Sequence, residues 1–209
     1  MEIQTLLLFM GASALLAISP GPDIIYVITL GITRGTKAAI ITTFGLTSGI
    51  FVHTTAAALG ISVIFQTSAL AFNIVKFAGA AYLFYLAFQA FKHRADLIHI
   101  DKSQKTPYTL KKLYFKGFLM NVLNPKVSLF FLAFLPQFVN PSLGSVPWQM
   151  IQLGLAFMVA TLIIFSFCGI LAHRASATLM ERPNFAKTIN TIAATVFVAL
   201  GLKLVFSQR

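Results

Sequence analysis

The residues best suited to carry chemistry in this chain are charged residues that accompany prolines inside long apolar segments. In Ser19-Pro20-Gly21-Pro22-Asp23, neither proline has an N–H group to donate to the carbonyl four residues earlier. Gly21 adds conformational freedom between them, so we predict a broken helix here. Asp23 is the only acidic residue inside any apolar segment, and a carboxylate at the bilayer centre costs at least about 2.5 kcal/mol. We expect Asp23 to face a cavity, as a cap of the second half-helix and as a substrate or proton site.

A second proline break, with a charge of opposite sign, occurs at Asn124-Pro125-Lys126. Pro125 frees the carbonyl of Asn121, and Asn124 is a residue type that caps helices. Lys126 lies near the middle of its apolar segment, where its ammonium cannot easily reach the membrane interface. We therefore expect Lys126 to share a cavity with Asp23 or to serve as a structural counter-ion, because buried charges need partners.

His53 and Lys76 are two further candidates inside apolar segments. His53 shares a helix face with Gly45 and Gly49, a spacing of small residues that lets helices approach closely. We therefore expect His53 to face other helices, either as a hydrogen-bonded packing residue or as a proton relay. Lys76 is within partial reach of the membrane interface, so an anchoring role and a site role both remain open.

The sequence gives no support for an enzyme. It contains no Ser–His–Asp arrangement, no glycine-rich phosphate loop and no carboxylate cluster. The other histidines have no spacing typical of a metal site. Cys168 is the single cysteine, so neither an internal disulfide nor a cysteine-based metal site can form. We predict no cofactor and no metal.

The composition indicates a membrane protein and not a nucleic-acid-binding one. Hydrophobic residues make up 57% of the 209 residues and charged residues only 10%, whereas a soluble domain carries about 25%. The net charge of +11 arises from 16 Lys and Arg that lie almost wholly in short polar gaps between apolar segments. This distribution is typical of cytoplasmic loops, which are enriched in Lys and Arg, and it forms no basic amphipathic face.

The elements that must position these residues are membrane-spanning helices. A bilayer core of about 30 Å needs about 20 apolar residues in a helix. Six stretches qualify, although the last is short and a five-span arrangement is the alternative. They are residues 5–30, 38–65, 68–91, 113–139, 148–172 and 188–206.

The polar gaps predict which side of the membrane each loop faces. Gaps 31–37, 92–112 and 173–187 contain two, six and three Lys or Arg, and gaps 66–67 and 140–147 contain none. By the positive-inside rule the three basic gaps face the cytoplasm, and both termini face outward.

The chain reads as one transmembrane domain, residues 1–209, made of two halves. Half one is 1–91, the cytoplasmic loop is 92–112, and half two is 113–209. Each half begins with a proline-broken helix, and an odd number of three spans inverts the second half. The predicted fold is therefore an all-α integral membrane protein with about six transmembrane helices, arranged as a 3+3 inverted repeat with broken helices 1 and 4.

At these residues the chain resembles the LysE family of exporters, within it the threonine and homoserine efflux branch. The matching segments are residues 19–23, 45–60, 76–88 and 121–138, which occur in family order and cover nearly the whole chain. The resemblance implies proton-driven efflux of amino acids or their derivatives across the bacterial cell (inner) membrane. It also implies that the path is lined by Pro20, Gly21, Pro22, Asp23, Asn124, Pro125 and Lys126.

The expected function is therefore a secondary transporter, an antiporter that exports neutral amino acids. A zwitterion needs a positive and a negative site close together, and a single intramembrane acid favours a neutral substrate over a dibasic one. The expected partners are a small amino acid, protons as the coupling ion and the lipid bilayer; a homo-oligomer is compatible with the sequence. The alternatives are an ion exporter or channel with the same broken helices, or a membrane scaffold subunit.

Overall fold

The computed structural model describes residues 2–61, 69–92, 109–174 and 183–206, and within these ranges the regular structure is helical, with no strand. The helices in chain order are α1 (Ile3–Ile18), α2 (Pro22–Arg34), α3 (Thr36–Ala56), α4 (Ala69–Lys92), α5 (Leu110–Val122), α6 (Pro125–Leu129), α7 (Val146–Arg174) and α8 (Pro183–Phe206). Short π-helical stretches cover Ala57–Ile61 and Phe130–Phe134, and 3₁₀ turns cover Leu135–Phe138 and Pro141–Leu143.

Two pairs of helices are sharply bent where the sequence predicts breaks. α1 ends at Ile18, and α2 begins at Pro22 with its axis turned by 61°. α5 ends at Val122, and the helical stretch Pro125–Phe138 follows at 46°. In both pairs a proline occupies the first position of the second helix, where its missing N–H breaks no intrahelical bond.

Several helices are apolar and long enough to cross a membrane. Two qualify singly, Thr36–Gly60 and Val146–Arg174, and the number rises to four if each bent pair counts as one span. Asn190–Phe206 is a shorter apolar stretch. Large side chains on these helices stay exposed, among them Phe51, Ile163 and Phe167. Such a surface suits hydrocarbon and not water.

Glycines let α3 cross α5 closely enough to bring the second break into the bundle. A methyl group added at Gly45 would overlap the carbonyl of Tyr114, and one at Gly49 would lie 2.8 Å from the side chain of Asn121. Gly117 of α5 lies in the same way against Thr42 of α3. This crossing turns His53 inward, as its shared face with Gly45 and Gly49 predicts.

An aromatic cluster packs around the second break. Phe130, Phe131 and Phe134 are buried. The Phe130 ring lies near Phe9 of α1 and Phe157 of α7, the Phe131 ring near Phe157, and the Phe134 ring near Phe130. The Phe130 ring centroid is 5.8 Å from that of Phe9 and 5.4 Å from that of Phe157. Elsewhere α3 packs against α7, and α4 packs against α8. Most of the predicted loops 66–67, 92–112 and 173–187 lies outside the described residues.

Candidate functional site

The two breaks meet at a small buried cavity. Its walls hold both charged residues that the sequence singles out, Asp23 and Lys126. About 10 Å³ is open to water, room for about one water molecule, so the cavity is too small for an amino acid in this conformation. The lining residues are Leu16, Ala17, Asp23, Asn121, Lys126, Val127, Phe157, Thr161 and Phe165.

The first break presents its free carbonyls to Lys126. Because Pro20 has no N–H, the carbonyl of Leu16 lacks its helical donor. It accepts instead from Ser19 Oγ at 2.8 Å and from Lys126 Nζ at 3.2 Å. Lys126 Nζ also donates to the carbonyl oxygen and the hydroxyl of Ser19, both at 3.1 Å. Three oxygens of the first break thus hold the ammonium from the second.

Gly21 leaves space for this ammonium. A methyl group at Gly21 would lie 3.0 Å from Lys126 Nζ. The φ of Gly21 is −174°, extended backbone that any residue adopts. The break therefore does not need the conformational freedom expected of Gly21. It needs the absence of a side chain at this position.

At the second break, the hydrogen bonds of the backbone groups are made mostly within the break itself. Asn124 is the N-cap of α6, and its Oδ1 accepts from the N–H of Lys126 at 2.9 Å, as its residue type predicts. The carbonyl of Asn121, freed by Pro125, accepts from the N–H of Asn124 at 2.9 Å. It also lies 2.9 Å from His53 Nε2. A carbonyl only accepts, so this ring nitrogen carries the proton.

Asp23 is buried in the first turn of α2, but it is not the cap. The N-cap is Gly21, and Asp23 Oδ2 accepts from Asn121 Nδ2 at 3.1 Å. The capping role expected of Asp23 is therefore wrong, because the helix begins at Pro22 and the carboxylate points at α5. A negative charge there still suits the positive end of the α2 dipole. Within the described residues, Asp23 and Lys126 share the cavity without a direct ion pair.

Several buried polar atoms at the site have no hydrogen-bond partner among the described residues. They are Asp23 Oδ1, Asn121 Oδ1, Asn124 Nδ2 and Thr161 Oγ1. Buried polar atoms are almost always paired, so those on residues that line the cavity can bind a ligand or water there. Asp23 Oδ1 and Asn121 Oδ1 suit the ammonium of a ligand, and the nearby Lys126 suits the carboxylate of a ligand. The arrangement can hold a zwitterion once the cavity opens.

The structure adds site residues that the sequence reasoning missed. Asn121 joins Asp23 to His53, and Ser19 holds Lys126. Thr161 on α7 also lines the cavity. The sequence contained a signal for Asn121, because it is a polar residue four positions before Pro125 in an apolar segment. Thr161 had none, because its place depends on how α7 packs.

Lys76 is not among the residues that line this cavity. It is buried on α4, with its Nζ 4.8 Å from the centroid of the Phe77 ring. His53 likewise does not line the cavity, but it reaches the site through Asn121. The structure thus brings together Asp23, Lys126 and His53 and leaves Lys76 on a different helix pair.

Comparison with known proteins gives a consistent family. The model of the LysE type translocator family matches residues 14–208. The chain is 30% identical over 197 residues to the homoserine/homoserine lactone efflux protein of Salmonella typhimurium, covering 94% of each protein. It is 30% identical over 208 residues to an uncharacterized membrane protein, YrhP, of Bacillus subtilis, covering 96% of this chain and 98% of that one. It is 27% identical over 197 residues to the threonine efflux protein of Salmonella typhi, covering 91% and 92%. No solved structure matches the chain.

Proposed function

Since this chain belongs to the LysE type translocator family, we propose that it exports small neutral amino acids or their derivatives from the cytoplasm, in exchange for protons. The proposed substrates are of the threonine, homoserine and homoserine lactone kind, which are the substrates that the names of two relatives give. The role is transport and not enzymatic catalysis. The site is in the bacterial inner membrane.

The observation that carries this proposal is the meeting of Asp23 and Lys126 in one small cavity between two helix breaks. A scaffold subunit has no need for two buried charges, which are costly at membrane depth. A zwitterionic substrate matches them: its ammonium binds beside Asp23 Oδ1 and Asn121 Oδ1, and its carboxylate binds Lys126. In this conformation, the Lys126 ammonium already donates to the carbonyls of Leu16 and Ser19.

The proposed path also includes the residues that shape the two breaks. Pro20, Pro22 and Pro125 remove backbone donors, and Gly21 leaves room for Lys126. Asn124 fixes the start of α6. In this proposal His53 supports Asn121 from outside the cavity, and Lys76 acts away from it.

We further propose six spans arranged as a 3+3 inverted repeat. Three features support it: each half begins with a bent pair, the third helices α4 and α8 pack on each other, and α3 packs on the broken helix of the other half as α7 does. With the 92–112 loop in the cytoplasm, both termini face outward. Labelling of single cysteines at residues 105 and 143 tests this, and a cytoplasmic signal at 143 would overturn it.

Efflux from cells tests the proposed function directly. Cells that overproduce the protein should tolerate toxic threonine or homoserine and should release the amino acid to the medium. The matched control is the double variant Asp23→Asn with Lys126→Met, produced at the same level in the membrane. Unchanged efflux of all common amino acids and their lactones would remove the proposal, and an ion flux without them would favour an ion exporter or channel.

A further inference from the structure

One wall of the cavity carries a buried hydroxyl group, that of Thr161. The side chain is 2% exposed, and its Oγ1 has no hydrogen-bond partner among the described residues. Thr161 lies on α7 between Phe157 and Phe165, one helical turn away on either side, and all three line the cavity. The Thr161 hydroxyl thus lies between two aromatic side chains that have no hydrogen-bonding atoms.

Several other hydroxyl groups in this bundle donate to a carbonyl of their own helix. Thr54 donates to the carbonyl of Ile50 at 2.9 Å, and Ser13 donates to that of Phe9 at 2.7 Å. Bonding to the carbonyl one turn earlier is open to any Ser or Thr in a helix. Thr161 makes no such bond to Phe157, and a buried hydroxyl without a partner is destabilising. Thr42, Thr43 and Thr47 are buried without a hydrogen-bond partner among the described residues, as Thr161 is, but they do not line the cavity. The Thr161 hydroxyl can therefore form a hydrogen bond with a molecule that enters the cavity.

The polar and the aromatic lining residues of the cavity come from different helices. Asp23 comes from α2, Asn121 from α5 and Lys126 from α6. α7 contributes Phe157, Thr161 and Phe165, of which Thr161 alone is polar. An amino acid whose charged groups bind Asp23 and Lys126 can therefore place its side chain against α7, where the one polar group is the Thr161 hydroxyl.

We propose that Thr161, with Phe157 and Phe165 on either side, forms a subsite that selects short, uncharged side chains bearing a hydroxyl group. This inference rests on the proposed export of amino acids and specifies which ones. An aliphatic side chain leaves the Thr161 hydroxyl unpaired, and a charged side chain meets no opposite charge on this wall. A site that hydrogen-bonds a substrate hydroxyl rejects the analogue that lacks it, because its own buried polar group is then left without a partner.

The test compares isosteric substrate pairs in proteoliposomes that contain the full chain. Counterflow of threonine is measured against valine, and of homoserine against norvaline; each pair differs by a hydroxyl for a methyl group. The wild type should prefer the hydroxylated member by about tenfold, the scale of one neutral hydrogen bond. Thr161→Val should bring each ratio to near one while still transporting valine, and Thr161→Ser should keep the preference.

Thr42→Val is the matched control. Thr42 Oγ1 is also buried without a partner, but Thr42 packs against Gly117 and does not line the cavity. Its substrate ratios should stay at the wild-type value. Thr161→Ala gives the same reading if Thr161→Val does not reach the membrane. A Thr161→Val or Thr161→Ala protein that keeps the wild-type ratios, or a wild type that transports amino acids with no preference, overturns the subsite alone. A wild type that transports no amino acid overturns the proposed function as well.

Discussion

The two helix breaks in this protein solve the same problem in different ways. Each has a proline that frees the carbonyl four residues before it, Leu16 in the first break and Asn121 in the second. The Leu16 carbonyl accepts from the Ser19 hydroxyl and from the ammonium of Lys126, which comes from the other half of the chain, and the neighbouring Ser19 carbonyl accepts from the same ammonium. The Asn121 carbonyl receives a backbone N–H from its own break, with His53 as a second donor.

Because of this difference, the first break depends on a hydrogen-bond donor from the other half of the chain, whereas the second break supplies most of its own donors. Without Lys126, the Ser19 carbonyl at the first break has no donor among the described residues. Without His53, the Asn121 carbonyl keeps the N–H of Asn124. We infer that the second break is the fixed part of the site and that the first break is the part whose contacts can be exchanged.

Removing the Lys126 ammonium should have the largest effect. Lys126→Met should abolish transport and destabilise the protein by about 2 to 4 kcal/mol, because charge-assisted hydrogen bonds are lost and Asp23 keeps no nearby cation. Thermal unfolding in detergent and counterflow measure the two effects. Lys111→Met, at an exposed lysine on α5, is the control and should change neither. A stable Lys126→Met protein with normal transport would show that the first break does not need this contact.

Removing the His53 donor should have a smaller effect. His53→Leu should destabilise the protein by about 1 kcal/mol or less, because the Asn121 carbonyl retains the Asn124 N–H. Transport driven by a pH gradient should persist. His53→Gln, which keeps a donor, is the matched comparison and should be closer to the wild type in stability. Loss of gradient-driven transport in both variants would instead assign His53 to a proton relay.

The contrast between the breaks also shows which features of the site can be predicted from the sequence. The positions of both breaks follow from the prolines, and the cap at Asn124 follows from its residue type, because these are local effects. The inward face of His53 follows from Gly45 and Gly49 for the same reason. Family membership, which the resemblance implied, is confirmed by the match over residues 14–208.

What the sequence could not supply is the partner of each exposed group. Proline placement identifies the carbonyl of Leu16 as free but not Lys126 as its donor, which is 110 positions away. The assignment of Asp23 as a cap failed because Gly21 is the N-cap of α2, so the carboxylate is available to Asn121. Thr161 became visible only through the packing of α7 against the breaks. Such long-range contacts depend on the crossing of whole helices and not on local pattern.

We propose that Asp23 couples export of the substrate to entry of protons in this cavity, and one substitution tests this role most directly. Asp23→Asn keeps the shape and an acceptor for Asn121 Nδ2 but removes the group that can carry a proton. In inside-out vesicles with an acidic lumen, the wild type should accumulate threonine or homoserine, and Asp23→Asn should not accumulate it while still exchanging it downhill. Asp23→Ala should lose both, because the Asn121 amide is then left without its acceptor. If Asp23→Asn concentrates substrate in response to the gradient as the wild type does, Asp23 is structural and the account is contradicted.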